Sequence, residues 1–299
     1  MIDIQPTNLN SERCGSLFII GGGEERCGNM DVLARYIDLC GGPNSSIAVL
    51  TSASTIPDKM WEMYDNAFSE LGVTHHFPIH AESRDQANEP GLARRLYEAD
   101  GIFMTGGDQK RLVETLGNTQ IHKAMQQAFR ENGACIGGTS AGASAMAYHM
   151  LADGKSEKLP DKHTARLDTG LAFLQQVTID QHFSQRQRLA RLLSVIAQRP
   201  DLIGVGIDED TALIITKKGS LEVIGSGAVT LLDGRHMLSN IAEASSQEHL
   251  ELINVMLHLL PAGNRYDVEQ ADAAPSTRTG TKALMEVLRL VSRIYNEAN

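Results

Sequence analysis

An α/β fold with a mostly parallel, doubly wound sheet is predicted by three features of the sequence. Short apolar runs alternate with stretches of helical periodicity through residues 16–136. Strands that short and that uniformly apolar need helices over both faces. The runs also stop at small or polar residues: Gly21-Gly22-Gly23, Thr51-Ser52-Ala53-Ser54, Gly106-Gly107-Asp108 and Gly138-Thr139-Ser140. Parallel α/β sheets hold their ligands there, at the carboxyl ends of the strands. In the C-terminal third the alternation gives way to short apolar runs joined by tight turns, which predicts antiparallel hairpins extending the same sheet.

In chain order, residues 1–14 read as a loose polar arm and 16–20 as the first strand. The glycines at 21–23 lack the G-x-G-x-x-G spacing and open no helix directly. They read as a turn that lets two backbones approach closely rather than as a dinucleotide fingerprint. Helical spacing follows at 30–39, a strand at 47–50, a helix at 60–71, a strand at 73–79 and a helix at 92–99. Residues 101–105 form a strand, 109–116 and 121–132 helices, and 134–136 the strand that enters a Gly-rich turn, with a helix running on toward Met150. Residues 152–164 are polar, contain Gly and Pro, and read as an exposed loop. Strands are expected at 170–173 and 177–180, and a helix at 186–198 through Leu189, Leu192, Leu193 and Ile196. Further strands are expected at 202–208, 212–216, 221–224 and 229–232, one turn being Lys217-Lys218-Gly219-Ser220. An apolar stretch at 249–260, a turn at Pro261-Ala262-Gly263 and a final amphipathic helix within 278–299 complete the chain. No repeat or low-complexity linker divides residues 1–299, so a single domain is expected.

Composition narrows the function classes. The 299 residues are 42% hydrophobic and 21% charged, with formal net charge −10. That balance and the absence of a basic run argue against nucleic-acid binding. No apolar run approaches the roughly 20 residues of a membrane span, and the N-terminus lacks a signal-peptide pattern. Cys14, Cys27, Cys40 and Cys135 show no C-x-x-C spacing and read as reduced thiols, which implies a cytoplasmic setting. No metal and no cofactor are expected.

The chemistry concentrates at Gly138-Thr139-Ser140-Ala141-Gly142, a G-x-S-x-G nucleophile elbow. A serine on a sharp strand-to-helix turn needs small neighbours, and the turn lifts its hydroxyl clear of the sheet. The helix start behind it aims N–H groups and a positive dipole end at the same point, so the Ala141 N–H could stabilise an oxyanion. A serine hydroxyl also needs a base, and the base a third group to hold its tautomer. Of the ten histidines, only His182 has polar company at a strand end, in Ile179-Asp180-Gln181-His182-Phe183-Ser184. The carboxylate candidates follow another apolar run, at Asp208-Glu209-Asp210. Alternation points Asp208 and Asp210 one way and Glu209 the other, which leaves two options. The order serine, histidine, acid differs from the Ser…Asp/Glu…His order of α/β-hydrolases. An amidotransferase would carry cysteine at the elbow, and Cys135 lies five residues too early.

Five segments together, IGGGEE at 20–25, GGDQ at 106–109, GTSAGAS at 138–144, DQHF with R-x-R-x-x-R at 180–191 and GIDEDTA at 206–212, resemble the cyanophycinase family across about residues 19–267. These are serine peptidases related to bacterial aspartyl dipeptidases, with a class I glutamine amidotransferase-like fold. The resemblance implies Ser140 as nucleophile, His182 as general base, Glu209 as the orienting carboxylate, and an oxyanion hole at Gly107 and Ala141. It implies a homodimer that cleaves cyanophycin, a polyaspartate backbone with arginine on each side-chain carboxyl, to β-Asp-Arg dipeptides. Such a substrate displays carboxylates and guanidinium groups, for which arginine forks and acids or amides are the matching partners. Arg186, Arg188 and Arg191, with Gln109, Asp180 and Gln181, are the implied contacts, and 188 and 191 share a face if the stretch is helical. A dipeptidase acting on short Asp-X peptides is the alternative activity. A catalytically silent binding protein of the same fold is the alternative class, against which the intact serine, histidine and acid argue.

Overall fold

A computed structural model describes residues 15–216, 219–245, 248–268 and 282–293. The expected arm at 1–14, Cys14, and Lys217 and Lys218 of the expected turn lie outside the described residues, as do the ends of the 278–299 segment. The chain runs β1 (Leu17–Ile20), α1 (Asp31–Cys40), β2 (Ser46–Leu50), α2 (Pro57–Glu70), β3 (His75–Ile79), α3 (Arg84–Ala87), α4 (Pro90–Tyr97), β4 (Gly101–Met104), α5 (Gln109–Leu116) and α6 (Gln120–Gln127), whose end widens into a π-helical turn at Ala128–Asn132. It continues with β5 (Cys135–Thr139), α7 (Ala141–Ser144), β6 (His149–Gly154), β7 (Ala165–Thr169), β8 (Val177–Gln181), α8 (Leu189–Gln198), β9 (Ile203–Ile207), β10 (Thr211–Ile215), β11 (Leu221–Gly225) and β12 (Ala228–Asp233). Strands β13 (Leu238–Ser239), β14 (Leu252–Ile253), β15 (Met256–Pro261) and β16 (Asn264–Tyr266) precede α9 (Lys282–Val291).

The main sheet has the order β16-β11-β10-β1-β5-β4-β2-β3. Strands β3, β2, β4, β5 and β1 are mutually parallel, and β10, β11 and β16 add antiparallel beyond β1. Successive side chains of a strand face opposite ways, and both faces of this sheet are covered. Leu17, Ile19, Ile102, Met104 and Ile136 enter one core, and Phe18, Ile20, Phe103 and Cys135 enter the other, against Tyr36, Tyr64 and Phe68 of α1 and α2. The aromatic packing explains a small residue in mid-strand: a Cβ on Gly137 would lie 2.6 Å from the Tyr36 ring.

The C-terminal strands depart from a simple extension of one sheet. β8, β9, β12 and β15 form a second, four-stranded sheet ordered β15-β12-β9-β8. The cause is a corner after β9, where Asp210 takes φ 46° and turns the chain into β10 of the main sheet. β8, α8 and β9 make a parallel β-α-β unit of their own. The helix after the Gly-rich turn stops at Ser144, and residues 145–148 turn the chain into β6, so Met150 lies in a strand. The run at 170–173 is not a strand: Leu171 and Phe173 are buried in the core, and Ala172 at φ 57° interrupts the extended backbone. The helix expected from 186 starts at Leu189, because Gln187 sits at φ 52°. β15 is an edge strand with Leu257 and Leu259 exposed. Among the described residues, no helix is long and apolar enough to cross a membrane, and Cys27, Cys40 and Cys135 are free thiols.

Candidate active site

β5 lies between β1 and β4 and delivers Ser140 at its carboxyl end, with α7 starting at the next residue. The turn is sharp: Ser140 has φ 52° and ψ −109°. A Cβ on Gly138 would lie 2.6 Å from the Gly142 carbonyl oxygen, and one on Gly142 would lie 2.4 Å from the Met104 carbonyl oxygen. Both motif glycines are therefore steric requirements. The Ser140 N–H donates to the Ile20 carbonyl at 3.1 Å, and the Ser140 Oγ lies 3.0 Å from His182 Nε2.

β8 and β9 run parallel with Gln181 opposite Ile207, so the residues that leave their ends emerge side by side. His182 leaves β8 at φ 49°, pinned by its N–H to the Gly21 carbonyl at 2.7 Å. Its Nδ1 meets Glu209 Oε1 at 2.6 Å. A carboxylate at Nδ1 fixes the proton there and leaves the Nε2 lone pair facing the serine. The two acid options separate cleanly. Asp208 accepts from the Ser184 and Ala228 N–H groups, and Asp210 accepts from the Glu25 N–H, so only Glu209 reaches the imidazole. Burial, aided by the cations of Arg186 and Arg188, pushes His182 below the ordinary imidazole value, against the opposing hydrogen bond and charge of Glu209.

The Gly106-Gly107 loop flanks the serine: a Cβ on Gly106 would stand 3.5 Å from the Ser140 Cβ. Gly107 has φ 147°, and a Cβ there would meet the Ala53 carbonyl oxygen at 2.2 Å, so only glycine fits. The Asp108 N–H donates to that carbonyl at 2.9 Å, and the Asp108 side chain caps α5 by accepting from the Lys110 N–H at 2.8 Å. Ala141 begins α7, whose first-turn N–H groups have no partner within the helix.

The residues expected to meet substrate are placed less simply. Arg186 is exposed in the turn before α8. Arg188, Arg191, Asp180 and Gln181 are buried and bind one another, which differs from the open contacts expected of them. Both arginines converge on Asp180: Arg191 Nε donates to Oδ2 at 2.9 Å, its Nη2 to Oδ1, and Arg188 Nη1 to Oδ1 at 3.3 Å. Arg188 Nη1 also donates to Gln181 Oε1 at 2.9 Å and to the Gln181 carbonyl, and Arg191 Nη1 to the Gly154 carbonyl at 2.8 Å. Gln109 Nε2 ties α5 to β6 through the Leu151 and Ala152 carbonyls.

Two features were not singled out in the sequence. Gln185 Oε1 accepts the Glu209 N–H at 3.0 Å and holds the acid's loop. A Cβ on Gly22 (φ 94°) would lie 2.4 Å from the His182 ring, so the second glycine of 21–23 makes room for the imidazole. Its only sequence signal was the close approach expected of the turn.

A hydroxyl, an imidazole and a carboxylate stand in one hydrogen-bonded line at the rim of an α/β sheet, the arrangement that serine hydrolases use. The chain belongs to peptidase family S51, which residues 17–223 match, and it is a serine peptidase. It is similar to the cyanophycinase of Geminocystis herdmanii (strain PCC 6308), with 36% identity over 253 residues, 84% of this chain and 93% of that one. It is 37% identical to the cyanophycinase of Synechococcus elongatus over 90% of this chain and 85% of that one. Among solved structures, a peptidase from an acI-B1 Actinobacterium has the same fold, with TM-score 0.61 and 21% identity over 85% of this chain and 97% of that one.

Proposed function

We propose that this peptidase hydrolyses cyanophycin to β-Asp-Arg dipeptides through Ser140, His182 and Glu209. The observation that carries the reading is the continuous Ser140–His182–Glu209 hydrogen-bond line in a chain whose relatives are cyanophycinases. Ser140 Oγ attacks an aspartyl backbone carbonyl as His182 Nε2 takes its proton. The oxyanion is held by N–H groups at Gly107 and Ala141. As the intermediate collapses, the imidazolium returns the proton to the leaving amine, giving an acyl-enzyme. Water, deprotonated by the same imidazole, attacks the ester, and Ser140 leaves with the proton restored. Glu209 holds the Nδ1 proton throughout. Arg186 carries the exposed guanidinium for a substrate carboxylate. Asp180, Gln181, Arg188 and Arg191, which bind one another, and Gln109, which is tied to β6, are proposed to act in recognition by shaping the site.

The test is purified protein on insoluble cyanophycin with product identification, alongside Asp-X dipeptides. Release of β-Asp-Arg from the polymer is expected. Turnover confined to the short peptides would make the chain an aspartyl dipeptidase. A homodimer is proposed with it, supported by the exposed apolar edge of β15; a monomer mass by light scattering would remove that part.

The pH profile carries a sign. His182 must be neutral to act as base, so kcat/KM falls as pH drops through its pKa, and that pKa is lowered. Arg186→Ala removes a cation that lowers it and should move the acid limb to higher pH. Glu209→Gln removes a carboxylate that raises it and should move the limb to lower pH. Profiles of kcat/KM between about pH 5 and 8, the range in which imidazoles titrate, check both; limbs that do not separate in these directions would remove His182 as the base.

A further inference from the structure

Residues 20–25 (IGGGEE) cross the seam between the two sheets, and their backbone bonds to the neighbourhood of every triad member. The Ile20 carbonyl accepts the Ser140 N–H at 3.1 Å, and the Gly21 carbonyl accepts the His182 N–H at 2.7 Å. The Gly22 carbonyl accepts the Asp210 N–H at 2.9 Å, one residue past Glu209, and the Gly21 N–H reaches the Thr211 carbonyl at 3.0 Å. A glycine-rich loop cannot hold that arrangement by its own stiffness. The side chain that anchors it is Glu24, 2% exposed.

A buried carboxylate is costly unless its oxygens are hydrogen-bonded. Glu24 Oε2 accepts from Thr139 Oγ1 at 2.6 Å, and Oε1 accepts from the Tyr64 hydroxyl of α2. Arg26 Nη1 lies 3.6 Å from the same Oε1, and its guanidinium stands over the Tyr64 ring. Burial and the Glu24 charge push the Tyr64 phenol well above its ordinary range, so it stays a donor. The post therefore runs from α2 through Glu24 to Thr139, the residue that precedes Ser140. Ser140 itself sits at φ 52°, a conformation that persists only when its surroundings over-determine it.

We infer that Glu24 is a positioning residue for the nucleophile, acting through the Thr139 hydroxyl to fix the elbow that carries Ser140. The inference rests on Ser140 being the nucleophile. Thr139→Val keeps the shape and deletes the donor; Thr139→Ser keeps the donor. A small misplacement of a reacting group costs about 10²-fold, and that is the expected loss in kcat for Thr139→Val, with KM unchanged. Thr139→Ser should stay within about threefold of wild type by restoring the hydroxyl to the carboxylate. The rate at which a fluorophosphonate labels Ser140 should fall in parallel with kcat, and it needs no knowledge of the peptide substrate. Wild-type kcat and labelling in Thr139→Val would overturn the inference, as would an equal loss in Thr139→Ser. Should Thr139→Val not fold, Glu24→Gln retains the shape with one acceptor oxygen and should lose about tenfold in kcat; unchanged kcat there overturns the inference equally. Ser140→Ala run alongside keeps the two readings apart. Turnover surviving in Ser140→Ala removes the nucleophile itself, whereas loss in Ser140→Ala with none in Thr139→Val removes only the role of Glu24.

Discussion

Ser140→Ala is expected to abolish dipeptide release, lowering kcat by roughly 10⁴-fold or more, as in other serine triads. The substitution removes only the oxygen. The backbone bond from residue 140 to the Ile20 carbonyl and the small neighbours at 138 and 142 remain, and Ala bears φ 52° at no greater steric cost than Ser. Folding should therefore be unchanged, and KM should move little, because the hydroxyl's strongest interaction forms only as the carbonyl becomes tetrahedral. His182→Ala should lose nearly as much, and the double variant little more than either alone, since the proposed nucleophile and base would act as a unit. The measurement is β-Asp-Arg release with matched thermal melts. Turnover within a few fold of wild type in a folded Ser140→Ala protein would contradict the mechanism.

Much of the parallel half of the fold was legible in the sequence because β1, β2, β4 and β5 are short apolar runs ended by Gly, Ser or Thr and the longer helices announce themselves by spacing, whereas the single turn of α3 (Arg84–Ala87) is too short to show a period. The division into two sheets was not. Nothing in the apolar run at 203–207 says whether the next run pairs beside it, and the decision falls to Asp210 adopting φ 46°, which acidic residues tolerate without advertising. The 170–173 run misleads for a related reason: periodicity reports burial, and Leu171 and Phe173 are buried without sheet pairing. In the site, the sharp turn at Ser140 could be read from steric rules alone. His182 and Glu209 were one choice among several until their strand-end positions were combined with the family resemblance. The arginines were legible as a cluster of charges and not as partners of Asp180, because sequence gives no sign of which guanidinium finds an internal carboxylate. Glu24 was hidden for the same reason, its partners lying at Tyr64 and Thr139.

Asp180→Ala is expected to cost about 3–5 kcal/mol of stability, the usual result of removing one partner from a buried ion pair. Asp180 is fully buried, and the side chains of Arg188 and Arg191 are 8% and 6% exposed, so water cannot replace the lost carboxylate. Arg188 is already pushed down to about 10, chiefly by burial, with Arg191 and Arg186 adding repulsion and Asp180 opposing them. Taking Asp180 away removes the opposing charge and leaves two guanidinium groups facing each other in the core. Asp180→Asn retains an acceptor oxygen and the volume, and should lose less than the alanine variant. Urea denaturation reads the effect as a lower midpoint with unchanged slope. The end of β8 carries both Asp180 and, two residues on, His182, so loosening this cluster should also lower kcat in protein that is still folded. A wild-type midpoint in Asp180→Ala would mean that Arg188 and Arg191 reach water or other acceptors once the carboxylate is gone, and that Asp180 does not hold β8 to α8.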